Sequence, residues 1–239
     1  NQLCAAVWAV PPGRAASIES QVDTVEFREL LKGPGPILLD GGMGTMLQAR
    51  GMQAGERPEL LNLKDPALVE QVQRAYVEAG SNIICSNTFG ANRAKLTGSG
   101  ATVQQVIPAA IQCARRAAAG KALVALDLGP TGQMLEPTGS LTFEQAYDLY
   151  AEQVDAGQEA DLILIETMTD LYEIRAAVLA AKEHGNGKPV IALMTFEHTG
   201  RTFTGCSVSA MALTLEGLGV DAMGINCSIG PDELYPVVE

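Results

Sequence analysis

The strongest constraint on this chain is a pattern that repeats although the sequence does not. From residue 23 onward, short apolar runs with almost no interior charge alternate with longer amphipathic stretches. The runs cover residues 37–40, 82–86, 122–127, 161–166, 189–195 and 221–226, and each is rich in Ile, Leu, Val or Ala. Such runs suit the strands of a parallel sheet that is buried on both faces. Helix-start signals stand between them. Asp65-Pro66 reads as N-cap and first helical residue, Thr142-x-x-Gln145 and Asp170-x-x-Glu173 as capping boxes, and Pro231 is followed by Asp232 and Glu233. A strand-to-strand spacing of about 30 to 45 residues is that of one βα unit with its loops. The chain is therefore α/β, with about six βα units.

Six units fit either an open doubly wound sheet or a (β/α)8 TIM barrel that is C-terminally truncated. Polar residues choose between them. Asp40-Gly41-Gly42, Ser86-Asn87-Thr88, Asp127-Leu128-Gly129, Glu166-Thr167 and Asn226-Cys227 all fall at C-terminal ends of expected strands. An open sheet places its ligand at one switch point, whereas a barrel draws chemistry from nearly every strand end. The barrel is expected over residues 23–239, incomplete at its C-terminus. Residues 1–22 are expected to be a poorly ordered arm, because the apolar stretch from Leu3 to Val10 lacks a basic flank and stops at Pro11-Pro12-Gly13.

Charge and cysteine use narrow the functional classes. Sixteen Lys and Arg oppose 28 Asp and Glu, a net charge of -12, which argues against nucleic acid and anionic membranes as partners. No window approaches the roughly 20 apolar residues of a spanning helix. The five cysteines form no C-x-x-C pair and make no disulfide framework, which fits a reducing cytoplasm.

Three positions invite chemistry. The stretch Leu38-Leu39-Asp40-Gly41-Gly42-Met43-Gly44 lacks the third glycine of a dinucleotide loop, since Leu47 stands there, and no Walker sequence occurs. It offers a carboxylate followed by backbone that a ligand can approach closely, or else an ordinary tight turn. Glu166 closes an apolar strand, where a carboxylate must be hydrogen-bonded, paired, or open to a cleft able to hold an ammonium group. Cys227 is a nucleophile, a metal ligand or a small buried hydrophobe. A lysine Schiff-base enzyme is disfavoured because no lysine ends a strand, and a histidine metallohydrolase because only His184 and His198 are present.

Four motifs in order carry a resemblance: Leu39-Asp40-Gly41-Gly42-Met43-Gly44-Thr45; Ala79-Gly80-Ser81-Asn82-Ile83-Ile84 leading to Asn87-Thr88-Phe89-Gly90-Ala91-Asn92; Ile165-Glu166-Thr167; and Gly224-Ile225-Asn226-Cys227-Ser228-Ile229-Gly230-Pro231. From about Val25 to Glu239 the chain resembles the homocysteine S-methyltransferase family, and within it the N-terminal module of the cobalamin-dependent branch. The resemblance implies methyl transfer to the sulfur of homocysteine, giving methionine. It also implies Zn2+ held by three cysteine thiolates, which removes the thiol proton, and methylcobalamin as a donor bound elsewhere in the parent chain. Folate- and cobalamin-binding domains are expected downstream.

Cys227 matches the first zinc ligand. The other two belong to a Gly-Gly-Cys-Cys motif that is absent here and is expected beyond residue 239, so the fragment alone is expected to be inactive. A trio of Cys85, Cys206 and Cys227 is the alternative metal set. For the amino-acid end, the resemblance makes Asp40 and Glu166 acceptors for the ammonium and sets Gly41, Gly42 and Thr88 near the carboxylate. Asn87 and Asn226 are implied to orient these loops. The rival readings are a non-catalytic amino-acid-binding barrel module and a methyltransferase using betaine or S-methylmethionine.

Overall fold

The computed structural model describes residues 6–9, 23–227 and 229–238. The strands are β1 (Ala6–Ala9), β2 (Ile83–Cys85), β3 (Leu123–Leu128), β4 (Leu162–Met168), β5 (Val190–Met194) and β6 (Ala222–Ile225). The α-helices are α1 (Asp23–Leu31), α2 (Met43–Ala49), α3 (Leu61–Lys64), α4 (Pro66–Glu78), α5 (Arg93–Leu96), α6 (Val103–Ala118), α7 (Phe143–Ala156), α8 (Leu171–His184), α9 (Val208–Gly217) and α10 (Pro231–Val238).

The sheet order is β1-β6-β5-β4-β3-β2, and β2 to β6 are all parallel. Each parallel strand lies beside its neighbours in sequence, with a helix on the return. That succession has no reversal of order, and so no switch point of the doubly wound kind. It is the progression of a barrel wall, although among the described residues the two ends of the sheet do not pair.

Both ends of the wall differ from expectation. Residues 37–40, expected as the first strand, make only an isolated parallel bridge between Leu39 and Ile83. Three backbone bonds form that bridge, from the Asp40 amide to Ile83 O and from the Asn82 and Ile83 amides to Leu38 O, and side chains take over on either side of it: the Leu38 amide donates to Asn82 Oδ1 at 2.9 Å and the Cys85 amide to Asp40 Oδ2 at 2.8 Å. At the other end, Ala6–Ala9 pairs antiparallel with β6, Ala6 opposite Ile225, where an arm was expected. A parallel sheet leaves the outer backbone groups of its last strand unpaired, and β1 satisfies those of β6. The rest of 1–22 lies outside the described residues.

Alternation along the strands sorts two cores. Ile84, Val124, Leu126, Ile163, Ile165, Ala192 and Ile225 pack outward against the helices. Ile83, Leu123, Ala125, Leu162, Leu164, Ile191, Leu193 and Ala222 pack on the opposite face, where Phe27 of α1 is 1% exposed among them. The inner face thus carries α1 near the N-terminal strand ends, where Arg28 pairs with Asp221 at 3.2 Å. The expected caps are present at Asp65, which accepts from the Leu68 amide, and at Thr142, which forms a full box with Gln145. Asp170 caps α8 through the Tyr172 and Glu173 amides. The Glu173 side chain departs from the expected box: it turns inward and accepts from Thr131 and Tyr150. No helix among the described residues is long and apolar enough to cross a membrane.

Candidate active site

Strand parity decides which side chains meet at the C-terminal ends of the sheet. Along β3, Leu123 and Ala125 face inward, so Asp127 continues the inward row; along β4, Leu164 is followed by Glu166. These ends enclose a cavity of about 250 Å³ lined by residues that include Asp40, Glu59, Cys85, Asn87, Asp127, Glu166 and Asn226. Gly41, Gly42 and Gly44 form one wall. A Cβ at 41 would stand 2.9 Å from the Tyr76 hydroxyl, so any other residue there would have to displace that ring. Among the described residues four acids line the cavity, and no Lys, Arg or His does.

The carboxyl groups are held differently. Asp40 accepts one backbone hydrogen bond, from Cys85, and burial pushes its carboxyl up to about 6 against that bond. Glu166 accepts from Asn226 Nδ2 at 2.8 Å; burial, then the charge of Asp40, pushes it up to about 7. Glu59 accepts the Gly90 amide at 2.7 Å. Asp127 is 6% exposed, and its Oδ1 accepts no hydrogen bond. Its carboxyl is pushed well above the usual range by burial first and then by the charges of Glu166, Asp40 and Glu59. Each of these shifts records a buried negative charge that no protein cation offsets.

Asn226 is the organising side chain. Its Nδ2 donates to Glu166 and to Thr167 Oγ1 at 3.0 Å, and its Oδ1 accepts the Thr167 amide at 2.9 Å. Thr167 has φ +62, a left-handed conformation that is costly for a β-branched residue, and it sits where the β4–β5 register shifts. The Asn226 contacts hold that bulge and aim Glu166 into the cavity. Cys227 also has a left-handed φ, +58, and is exposed at the end of β6, with Asn226 Nδ2 3.4 Å from its sulfur.

The expected site residues divide on inspection. Asp40, Gly41, Gly42, Asn87, Glu166 and Asn226 line one cavity. Thr88 does not: it is fully buried, and its hydroxyl donates to the Asp127 carbonyl at 2.7 Å. Asn87 faces the cavity, but its amide group donates to Pro58 O and Asn62 Oδ1, so it ties loops together. In the sequence Asp127 reads only as a polar strand end; the inward parity of Leu123 and Ala125 is the signal that places it here. A larger surface depression of about 490 Å³, lined by Tyr147, Asp155 and His184 on the outer helices, is remote from the strand ends, and its Asp155 is already paired with His184 at 2.9 Å.

A sequence profile of the homocysteine S-methyltransferases matches residues 37–239. The chain belongs to that family. Among its relatives, the methionine synthase of Mycobacterium tuberculosis (strain ATCC 25618 / H37Rv) is 34% identical, and that of Mycobacterium leprae (strain TN) 33%. Each match takes in 82% of this chain but only 18% of the relative. Two solved structures of the homocysteine methyltransferase MmuM from Escherichia coli share the fold. The metallated form has a TM-score of 0.70 at 23% identity, covering 81% of this chain and 74% of that one. The oxidised form has a TM-score of 0.71 at 21% identity, covering 80% and 73%.

The zinc ion implied by the resemblance to homocysteine S-methyltransferases needs three thiolates, and the described residues do not bring three together. Cys227 is exposed and follows the cavity-lining Asn226, but does not itself line the cavity. Cys85 is half-buried in the wall, its thiol pushed well up by burial and by Asp40, Asp127 and Glu166. Among the described residues no group of three or more His, Cys, Asp or Glu is placed to hold a metal ion, so the trio of Cys85, Cys206 and Cys227 is not assembled. These residues alone do not fit a zinc centre. What they do fit is the polar end of a small ligand.

Proposed function

We propose that this chain binds homocysteine at the C-terminal strand ends and presents its sulfur for methyl transfer, giving methionine. The observation that carries this reading is the cavity lined by both Asp40 and Glu166, with no cationic side chain among the described residues of its lining. Two carboxyl groups without a protein counter-ion suit an ammonium, and the glycine wall at 41–44 offers backbone to a carboxylate without Lys or Arg. The cavity is smaller than the roughly 300–1,000 Å³ typical of drug-sized ligands, which suits a small amino acid.

In this reading Asp40 and Glu166 accept from the ammonium, and Asn226 fixes Glu166 through the strained Thr167. Gly41 and Gly42 lie near the carboxylate, and Asn87 braces the loop behind them. Thr88 acts one layer below. Cys227 marks where the substrate sulfur is to be met and supplies one thiol. The proposal extends to an intact enzyme of the methionine synthase type, with a closed (β/α)8 barrel, zinc, and methylcobalamin as donor on other domains. The relatives named above support that extension. The part derived from this chain is binding and orientation.

Homocysteine titration of the intact protein that carries this chain, with and without Glu166→Gln, tests the reading. A charge-assisted hydrogen bond contributes roughly 1.5 to 3 kcal/mol, so affinity falls about ten- to a hundredfold. Unchanged affinity would remove Glu166 from the site, and absence of binding by the parent would overturn the assignment.

A further inference from the structure

We propose that Asp127 is a third positioning residue of the substrate ammonium, completing with Asp40 and Glu166 a cage of three acceptors for the three N–H donors of a primary amine. This rests on the homocysteine reading above and adds a residue to it.

The backbone of Asp127 is fixed with unusual thoroughness. Its amide donates to Ser86 Oγ at 3.3 Å, its carbonyl accepts from Thr88 Oγ1 at 2.7 Å, and the two hydroxyls lie 2.8 Å apart. With Thr88 donating to the carbonyl, Ser86 must donate to Thr88, which closes a ring of three hydrogen bonds with one proton in each. Two hydroxyls of the β2 end thus hold the main chain of β3, while the Asp127 carboxyl has no partner at Oδ1. Parity points that carboxyl into the cavity, which it lines at 6% exposure.

A buried carboxyl with nothing to accept from is costly, so the fold tolerates Asp127 at the expense of stability. The missing donor is one that a ligand brings. Of the polar groups on an α-amino acid, the carboxylate only accepts, whereas the ammonium donates three times. Asp40 and Glu166 each already use one oxygen on the protein, through the Cys85 amide and the Asn226 amide group. The third N–H is then matched by Asp127. Such a cage selects a primary amine, because N-alkylation removes one of the three donors.

The test compares homocysteine with 4-mercaptobutanoate, which lacks the amino group, by calorimetric titration of the intact protein and of Asp127→Asn and Asp127→Ala. The expected result is a loss of about tenfold for homocysteine in both variants, none for 4-mercaptobutanoate, and a ligand-free melting temperature equal to or above that of the parent. A purely structural role would lower the melting temperature and weaken both ligands, and either result overturns the proposal. So would a carboxyl that donates to the substrate carboxylate: Asp127→Ala would then weaken 4-mercaptobutanoate as well, and Asp127→Asn would retain homocysteine. A parent that binds homocysteine with an Asp127→Asn variant of equal affinity sinks this inference alone; a parent that does not bind sinks the reading beneath it.

Discussion

The two ends of the sheet use the same residue type in opposite ways. At the N-terminal strand ends, Asp161 receives both arms of Arg115, with Nη1 to Oδ2 at 2.7 Å, and also accepts the Val124 amide. Asp221 sits between Arg28 at 3.2 Å and Lys182 at 3.6 Å and accepts the Val190 amide. Each of these acids has a cation and a strand N–H. At the C-terminal ends, Asp40, Asp127 and Glu166 have no cation among the described residues, and Asp127 has no donor there at Oδ1. An acid whose partners are all protein is part of the fold, while one left short of partners in a cavity is, on the reading proposed above, held for a ligand. The same division separates structure from chemistry in barrels generally, where the N-terminal face serves stability and the C-terminal face catalysis.

The largest effect should come from breaking the structural end. Asp161→Ala removes the Arg115 pair and leaves the buried Val124 amide without an acceptor. Arg115 can regain water, since its side chain is 42% exposed, so the cost is about 2 to 4 kcal/mol rather than that of a fully buried pair. A denaturation midpoint measures it. If Asp161→Ala were as stable as the parent while Asp127→Asn were crippled, the division between the two ends would be wrong.

Acidity sharpens the comparison next. The carboxyl groups of Asp40 and Glu166 stand at about 6 and about 7 in the folded chain, against ordinary values of 3.8 and 4.5. Both are raised, so folding favours the protonated forms. Their contribution to stability is fully present below about pH 4 and is lost as pH rises through 6 and 7. The ligand-free protein should therefore lose on the order of 5 kcal/mol between pH 4.5 and 7.5 from this pair, and Glu166→Gln should flatten that slope. Ammonium binding has the opposite sign, since it requires ionised carboxylates, so homocysteine affinity should rise across the same window. Thermal melts at a series of pH values, with and without ligand, check both signs. A ligand-free stability that rises toward pH 7.5 would mean that these acids have a partner in the protein.

How far the sequence reveals this division depends on the range of the forces involved. The five parallel strands were legible to within about two residues because apolar runs that are buried on both faces leave a dense signal, and the helix starts at Asp65, Thr142 and Asp170 because caps are local. The polar strand ends likewise marked residues that line one cavity. What failed was decided by contacts distant in sequence. Residues 37–40 keep only a short backbone pairing with 82–83, because Asn82 Oδ1 and the Asp40–Cys85 bond take the amides on either side of it, and Ala6–Ala9 found an edge that only the assembled sheet provides. Thr88 resembles a substrate contact in its motif, yet its hydroxyl is used on a carbonyl 39 residues away. Glu173 fits a capping box by spacing, but Thr131 and Tyr150 draw its carboxylate inward. Asp127 was visible as a strand end, whereas its missing partner is a property of the packed cavity.

Asp170 offers the finest test, because it shares an end of the sheet with Glu166 and yet has its partners. Its Oδ1 accepts the Tyr172 amide at 2.6 Å and the Glu173 amide at 3.1 Å at the start of α8. By the rule drawn from the two ends it belongs to the fold, although only three residues separate it from Thr167. Replacing an N-cap Asp by Ala costs about 1 kcal/mol, so Asp170→Ala should shift the melting temperature by a few degrees. Homocysteine affinity should not change, because the carboxylate faces backbone amides and does not line the cavity. Parallel melting and titration of Asp170→Ala would decide the point. An affinity loss comparable to that of Glu166→Gln would show that position along the strand end matters more than the completeness of a residue's hydrogen bonds, and the assignment of Asp127 would lose its main support.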